Sequence, residues 1–217
     1  MEMGNEKTSP NPAQMWDERY SADEYAYGLE ASHHLKNSLH LVQDGGKILF
    51  PAEGEGRNAV YTASKGYDVY AFDMSKEGKK KALELARKHS TQIHYEVGMA
   101  QEMQYPKNHF DAIVLVYAHF PPNVREQIHR LFQTWLKPGG LIILEAFHKD
   151  HIEYNTINPG VGGPRNVDML FTQELLESDF NECTTNSFNK EVITISEGLY
   201  HQGEASLVRM VTRKNQS

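Results

Sequence analysis

Gly54 and Gly56 stand between an apolar run, Ile48-Leu49-Phe50, and a helical stretch from Asn58 to Ser64. A second apolar run, Asp68 to Phe72, ends in Asp73, roughly 20 residues beyond the glycines. Glycine has no Cβ, so backbone in such a turn can approach a ligand closely and take angles that other residues resist. A carboxylate closing the neighbouring strand can accept hydrogen bonds from both hydroxyls of a ribose. Strand, glycine turn, helix, strand and acid together form the layout of a nucleotide-type site. The competing reading is a tight strand-to-helix turn, with Asp73 only capping the helix that Ser75 begins. Gly54-x-Gly56-x-x-Ala59 also fits a relaxed dinucleotide pattern, so the glycines alone leave a nicotinamide cofactor open.

Three further groups could move a proton: His119, Glu145 and His148. His119 lies before Pro121-Pro122, where a backbone-bonded loop histidine is equally natural. Glu145 closes an apolar strand, and a carboxylate there is costly unless exposed or paired. His148 is followed by Lys149, Asp150 and His151, which together read as a solvated turn. The stretch Asn158-Pro159-Gly160-Val161-Gly162-Gly163-Pro164-Arg165 is long for a connection. Such loops serve as lids or stay flexible. Arg165 could hold an anionic substrate group, and Tyr200 could face the same mouth. The 11 histidines invite a metal reading, but no pair has a convincing ligand setting. His33 and His34 are adjacent and point apart on a helix, so no metal centre is expected.

The elements that must position these groups alternate between strand and helix. Asp68 to Phe72 is a second strand, and a helix runs from Ser75 to about His89. Ile93 to Val97 is a third strand, and Phe110 to Tyr117 a fourth, apolar on both faces as a central parallel strand should be. Val124, Ile128, Leu131, Phe132 and Trp135 recur at helical spacing. Pro138-Gly139-Gly140 breaks that helix before a fifth strand, Leu141 to Glu145. Thr172 to Phe180 is a last helix. Glu191 to Leu199 and Ala205 to Arg213 read as a hairpin around His201-Gln202-Gly203. The order predicts an α/β fold: a doubly wound, Rossmann-like, mostly parallel sheet of about seven strands with a C-terminal antiparallel hairpin. Ligand should sit at the carboxyl ends of the first, second and fourth strands.

Composition narrows the partners. The chain has 217 residues and a net charge of -7, which argues against a general nucleic-acid binder. No apolar run approaches the ~20 residues that a membrane span needs. Lys76, Lys79, Lys80, Lys81, Arg87 and Lys88, interleaved with Glu77 and Glu84, read as a solvated helix face. The single cysteine, Cys183, offers neither an internal disulfide nor a thiolate metal site. Residues 1–12 are polar and lack a signal core, so they read as a disordered leader of a cytoplasmic protein. Residues 13–217 read as one domain.

With these motifs in order, the chain resembles the class I S-adenosylmethionine-dependent methyltransferases over about Trp16 to Lys214. The glycine loop, Asp73, Phe110-Asp111, Leu136-Lys137-Pro138-Gly139-Gly140 and the terminal hairpin carry the likeness. Phe50-Pro51, Gly56-Arg57-Asn58 and Trp16-Asp17-Glu18-Arg19-Tyr20 make it most similar to the tellurite-resistance and thiopurine methyltransferase-like group. The resemblance implies roles. Glu53, Gly54, Gly56 and Asn58 would lie along the methionine part of S-adenosylmethionine. Asp73 would hold the ribose, Met74 would pack on the adenine, and Met99 and Ala100 would border its edge. Tyr117 would present backbone near the amine and the sulfur, while Trp16 and Tyr20 close the site. The usual acid of the first strand is Phe50 here and the usual first glycine is Ala52, so Glu53 becomes the candidate to restore the missing charge. His119, Arg165 and Tyr200 would meet the substrate, with His119 or Glu145 as base.

Two other classes compete with a small-molecule methyltransferase: a nicotinamide-dependent oxidoreductase on a similar sheet, and a non-catalytic cofactor-binding module. Within the first reading, a thiol or a metalloid oxyanion is the narrower acceptor that the resemblance suggests. The sequence does not fix the oligomeric state.

Overall fold

The computed structural model describes residues 11–216. Most of the expected leader therefore lies outside the described residues. Its last residue, Pro12, already begins helix α1 (Pro12–Tyr20), which Asn11 caps by accepting a hydrogen bond from the Ala13 N–H. Helix α2 (His33–Ser38) follows, and then strand β1 (Lys47–Pro51), helix α3 (Arg57–Ser64), strand β2 (Asp68–Asp73) and helix α4 (Lys76–Lys88). Strand β3 (His94–Val97), strand β4 (Phe110–Val116), helix α5 (Pro122–Trp135) and strand β5 (Leu136–Phe147) complete the wound portion. Helices α6 (His151–Ile157) and α7 (Gln173–Asp179) lead into the long hairpin of β6 (Cys183–Glu197) and β7 (His201–Lys214).

The sheet has seven strands in the order β3-β2-β1-β4-β5-β7-β6. Pairing is parallel as far as β5, and β7 then runs antiparallel between β5 and β6. Successive strand residues point to opposite faces, so β1 feeds two cores. Ile48 and Phe50 join Leu35, Val60 and Leu85 on one face. Leu49 joins Phe72, Ile113, Phe132 and Trp135 on the other. Burying one such side chain contributes about 1.5–3 kcal/mol, so helices on both faces hold the strand ends that frame the site.

Four local readings need correction. Pro138-Gly139-Gly140 does not separate helix from strand, because α5 ends at Trp135 and Leu136 already pairs with Phe110. The hairpin turn is not at His201-Gln202-Gly203. Glu197 pairs with His201, and Gly198, at φ +62°, supplies the left-handed turn residue. Lys149 and Asp150 form the expected exposed turn, but His151 starts α6 and is fully buried against Phe147 at 4.1 Å between ring centroids. Lys81 is not part of a solvated face. It is buried, bonded to Glu55 Oε1 at 2.7 Å and to the carbonyls of Ala22 and Glu24 at 2.6 Å each.

Candidate functional site

The turn after β1 is built from left-handed backbone. Ala52, Gly54 and Gly56 take φ of +52°, +61° and +88°. Ala52 bears this with a Cβ, at a cost of about 1–2 kcal/mol. Gly54 has a second reason to be glycine: its Cβ would lie 2.6 Å from the Tyr20 hydroxyl. Gly56 does not line the cavity. Its Cβ would lie 2.5 Å from the Ala82 Cβ, so it is the close-packing residue between α3 and α4. Packing of α3 against α4 thus accounts for a glycine at position 56.

Glu53 points back at the start of α3, and its Oε1 accepts hydrogen bonds from the Asn58 and Ala59 N–H groups at 2.9 and 2.7 Å. Loss of water pushes the Glu53 carboxyl up to about 7, against the downward pull of Ala59 N–H and Arg57. The Asn58 side chain adds a further pull on the same carboxyl. Asp73 Oδ2 accepts from Gly54 N–H at 3.0 Å and Oδ1 from Ser75 N–H at 2.9 Å. Burial raises this acid to about 6, opposed by those same N–H groups. Asp73 thus caps the next turn while remaining at the cavity wall. Each of its oxygens keeps a further lone pair for a ligand.

Helix α1 covers this end. Asp17 Oδ1 accepts from Ser75 Oγ at 2.6 Å and from Glu77 N–H at 3.1 Å, which anchors α1 on the start of α4. Trp16 stacks on Tyr20 at 5.5 Å, and Tyr20 meets Tyr27 edge-on at 6.5 Å. Beneath them lies one cavity of about 640 Å³. It brings together Trp16, Tyr20, Glu53, Gly54, Asn58, Asp73, Met74, Met99, Ala100, Tyr117, His119, Arg165 and Tyr200. Of the positions expected from the sequence, Gly56, Glu145 and His148 are left out. The volume falls within the ~300–1,000 Å³ of ordinary small-ligand pockets.

Glu145 is buried on β5. Its carboxylate accepts from Ser32 Oγ at 2.8 Å and from Arg209 Nε at 2.5 Å. Those partners tie the start of α2 to β5 and β7, and Glu145 lies outside the cavity lining. His119 lines the cavity, but both ring nitrogens are engaged. Nδ1–H donates to the Met169 carbonyl at 2.7 Å, and Nε2 accepts from Phe147 N–H at 3.4 Å. Burial between Phe147 and Phe171 lowers its pKa to about 4, so the ring is neutral and fixed at neutral pH.

At the far end, Tyr117 turns out of β4 at φ +54° and stacks on Phe147 at 4.9 Å. Its hydroxyl is buried and takes no hydrogen bond among the described residues. The 158–165 loop is folded rather than loose. Val161 is fully buried, and a Cβ on Gly162 would come within 2.4 Å of the Tyr200 carbonyl. Arg57 Nη2 bonds Glu197 at 2.9 Å, and Glu197 also faces His201 Nδ1 at 3.3 Å. Burial opposes the charge on Glu197, but His201 and Arg57 hold it down at about 2. Sequence reasoning missed Arg19, Tyr27 and Arg57 as wall residues. Arg19 lay inside the Trp16 to Tyr20 prefix, which was read only for its aromatics.

Residues 48–140 match a family model described as a methyltransferase domain. Phosphoethanolamine N-methyltransferase 1 of Arabidopsis thaliana is 30% identical over 122 residues, 55% of this chain and 24% of the plant enzyme. The chain thus spans about a quarter of the length of that relative. A structure solved for the conversion of a disulfide bond into a thioacetal group during echinomycin biosynthesis superposes with a TM-score of 0.76, at 13% identity, over 94% of this chain and 93% of that one. An S-adenosylmethionine-dependent methyltransferase of Methanosarcina mazei superposes with a TM-score of 0.65, at 18% identity, over 87% of this chain and 100% of that one. The chain has the Rossmann-like fold of these solved structures, and its residues 48–140 match the methyltransferase domain model.

Proposed function

We propose that this protein is an S-adenosylmethionine-dependent methyltransferase acting on a small molecule. The observation that carries the reading is the single cavity in which Glu53, Gly54 and Asp73 face Met74, Met99 and Ala100 beneath Trp16 and Tyr20. The residues fit the group. The Glu53 carboxylate at the cavity wall suits an ammonium, Asp73 suits a ribose diol, and Phe72, Met74, Met99 and Ala100 offer an apolar flank for a purine. The cofactor, when bound, supplies an electrophilic methyl group, so the protein needs neither metal nor covalent intermediate. Its own residues orient the reactants and exclude water. Tyr117 and Phe147 wall the space where an acceptor would sit. His119 holds its place through Met169 and Phe147 rather than accepting a proton. An acceptor whose nucleophile arrives unprotonated suits such a wall. A thiolate or a metalloid oxyanion meets that requirement, and so does a neutral amine, the acceptor class named for the plant relative.

Thermal-shift and calorimetric titration with S-adenosylhomocysteine, NAD and NADP test the cofactor. Stabilisation by the nicotinamides alone sinks the reading in favour of an oxidoreductase. Transfer of labelled methyl to thiols, amines, phosphoethanolamine and metalloid salts tests catalysis. Cofactor binding with no labelled product from any of them favours a non-catalytic module.

A further inference from the structure

The cavity wall carries three carboxylates and three arginines. Its carboxylates, Glu53, Glu55 and Asp73, all lie on the turn after β1 or at the end of β2. Its arginines, Arg19, Arg57 and Arg165, are set on α1, on α3 and in the 158–165 loop. Arg57 is consumed by Glu197 and by the carbonyls of Tyr27 and Glu30. Arg19 and Arg165 face no carboxylate within ion-pair distance among the described residues, in a chain whose net charge is -7.

Both arginines line the same cavity, and Tyr200 holds Arg19 in place there. The Arg19 guanidinium lies 4.1 Å from the Tyr200 ring centroid and donates to the Tyr27 hydroxyl at 3.0 Å. Gly162, three residues before Arg165, packs against the Tyr200 carbonyl. Stacking on an aromatic face fixes the plane of a guanidinium and leaves its other N–H donors free. Such a planar, permanently charged fork matches the oxygens of a carboxylate or phosphate. The same cavity also presents the aromatic side chains of Tyr27, Tyr117, Phe147 and Tyr200.

We infer that the methyl acceptor carries a carboxylate or phosphate group, bound by Arg19 and Arg165 at the mouth formed by α1, Tyr200 and the 158–165 loop, with an apolar or aromatic body packed on Tyr27, Tyr117 and Phe147. The inference rests on the methyltransferase reading for the word acceptor, but the anion site stands on its own geometry. Glu53 and Asp73 lie on the cofactor side of the same cavity, away from the arginine-bearing mouth. The anion is held at the mouth and the nucleophile is directed inward.

The test is calorimetric titration of the full-length protein, with and without saturating S-adenosylhomocysteine, using benzoate, phenyl phosphate and the neutral benzyl alcohol. We expect at least one anion to bind about tenfold or more tightly than benzyl alcohol. Arg165→Gln and Arg19→Gln should each weaken that anion about fivefold or more, with Arg19→Lys recovering only part of the loss. Preference for benzoate over phenyl phosphate, or the reverse, distinguishes a carboxylate site from a phosphate site. Neither anion outbinding benzyl alcohol, or both glutamine variants retaining full anion affinity, overturns the inference. Failure of S-adenosylhomocysteine to bind, with anion binding intact, instead removes the cofactor reading.

Discussion

The Tyr20 hydroxyl occupies the space that a Cβ on Gly54 would need, 2.6 Å from that position. The loop and helix α1 are therefore complementary surfaces, and Tyr95 locks the arrangement by donating its hydroxyl to the Gly54 carbonyl at 2.6 Å. Gly54→Ala should push Tyr20 out of place and strain a residue held at φ +61°. We expect a loss of ~1–3 kcal/mol in stability and at least about tenfold in affinity for S-adenosylhomocysteine. Gly54→Ala combined with Tyr20→Phe removes the hydroxyl and should recover part of both losses. Calorimetry and thermal melts of the pair measure this, and an additive double variant would separate loop from helix.

Lys81 and Glu55 form the second fastening of the N-terminal segment. Their side chains are 11% and 4% exposed, and the lysine also holds two carbonyls of residues 22–24. Removing one partner strands the other charge away from water. Lys81→Met should cost ~3–5 kcal/mol, and Glu55→Met combined with it should restore most of that. Urea unfolding of the single and double variants reads the coupling directly.

These two fastenings show how far the sequence could be read. Strand alternation and the glycine turn reveal the sheet, because period and turn chemistry are local properties. Asp73 and Glu53 are legible for the same reason, since each sits on the turn it serves. Lys81 was not legible. Its neighbours Lys79, Lys80 and Lys88 have the same composition, and only the approach of residues 22–26 decides which lysine is buried. Glu145 misled in the other direction. Its costly position at a strand end was recognised, but its partners, Ser32 and Arg209, lie 113 and 64 residues away. Gly56 matched a cofactor pattern, yet its contact with Ala82 depends on how α3 crosses α4. Pairings across long sequence separation carry no local signature.

Glu145 is expected to contribute stability rather than proton transfer. Glu145→Gln weakens two charge-assisted or buried hydrogen bonds, so the melting temperature should fall by an amount equivalent to ~1–3 kcal/mol. The pH profile of methyl transfer should keep its shape. Likewise, the His119 pKa near 4 predicts no limb from this residue close to neutrality. Rate profiles from pH ~5 to ~9 for the wild type, Glu145→Gln and His119→Asn measure both points. A limb near neutrality that vanishes in either variant would restore that residue as a base.

Glu53 gives the cofactor site its own pH dependence. Its folded pKa of about 7 lies above the ordinary carboxyl value, so the free protein holds this group protonated in mildly acidic solution. Two consequences follow with definite sign. Relative to an unfolded chain, the group favours the folded state at low pH, and that contribution fades as pH rises through about 7. Binding runs the other way, because the ammonium of S-adenosylhomocysteine needs the carboxylate. Affinity should therefore increase with pH up to and slightly beyond about 7, and Asp73 should add a smaller increase near 6. Proton release on binding should be largest on the acid side of that range. Glu53→Gln removes the acid while keeping a side-chain carbonyl to accept from Asn58 and Ala59 N–H. Its affinity should match the wild type near pH ~5.5, fall about tenfold short near pH ~8, and lose most of the slope between. Isothermal titration in two buffers of different ionisation enthalpy measures affinity and proton release together. A wild-type affinity flat across this range would remove Glu53 from the ammonium site and leave it as the cap of α3.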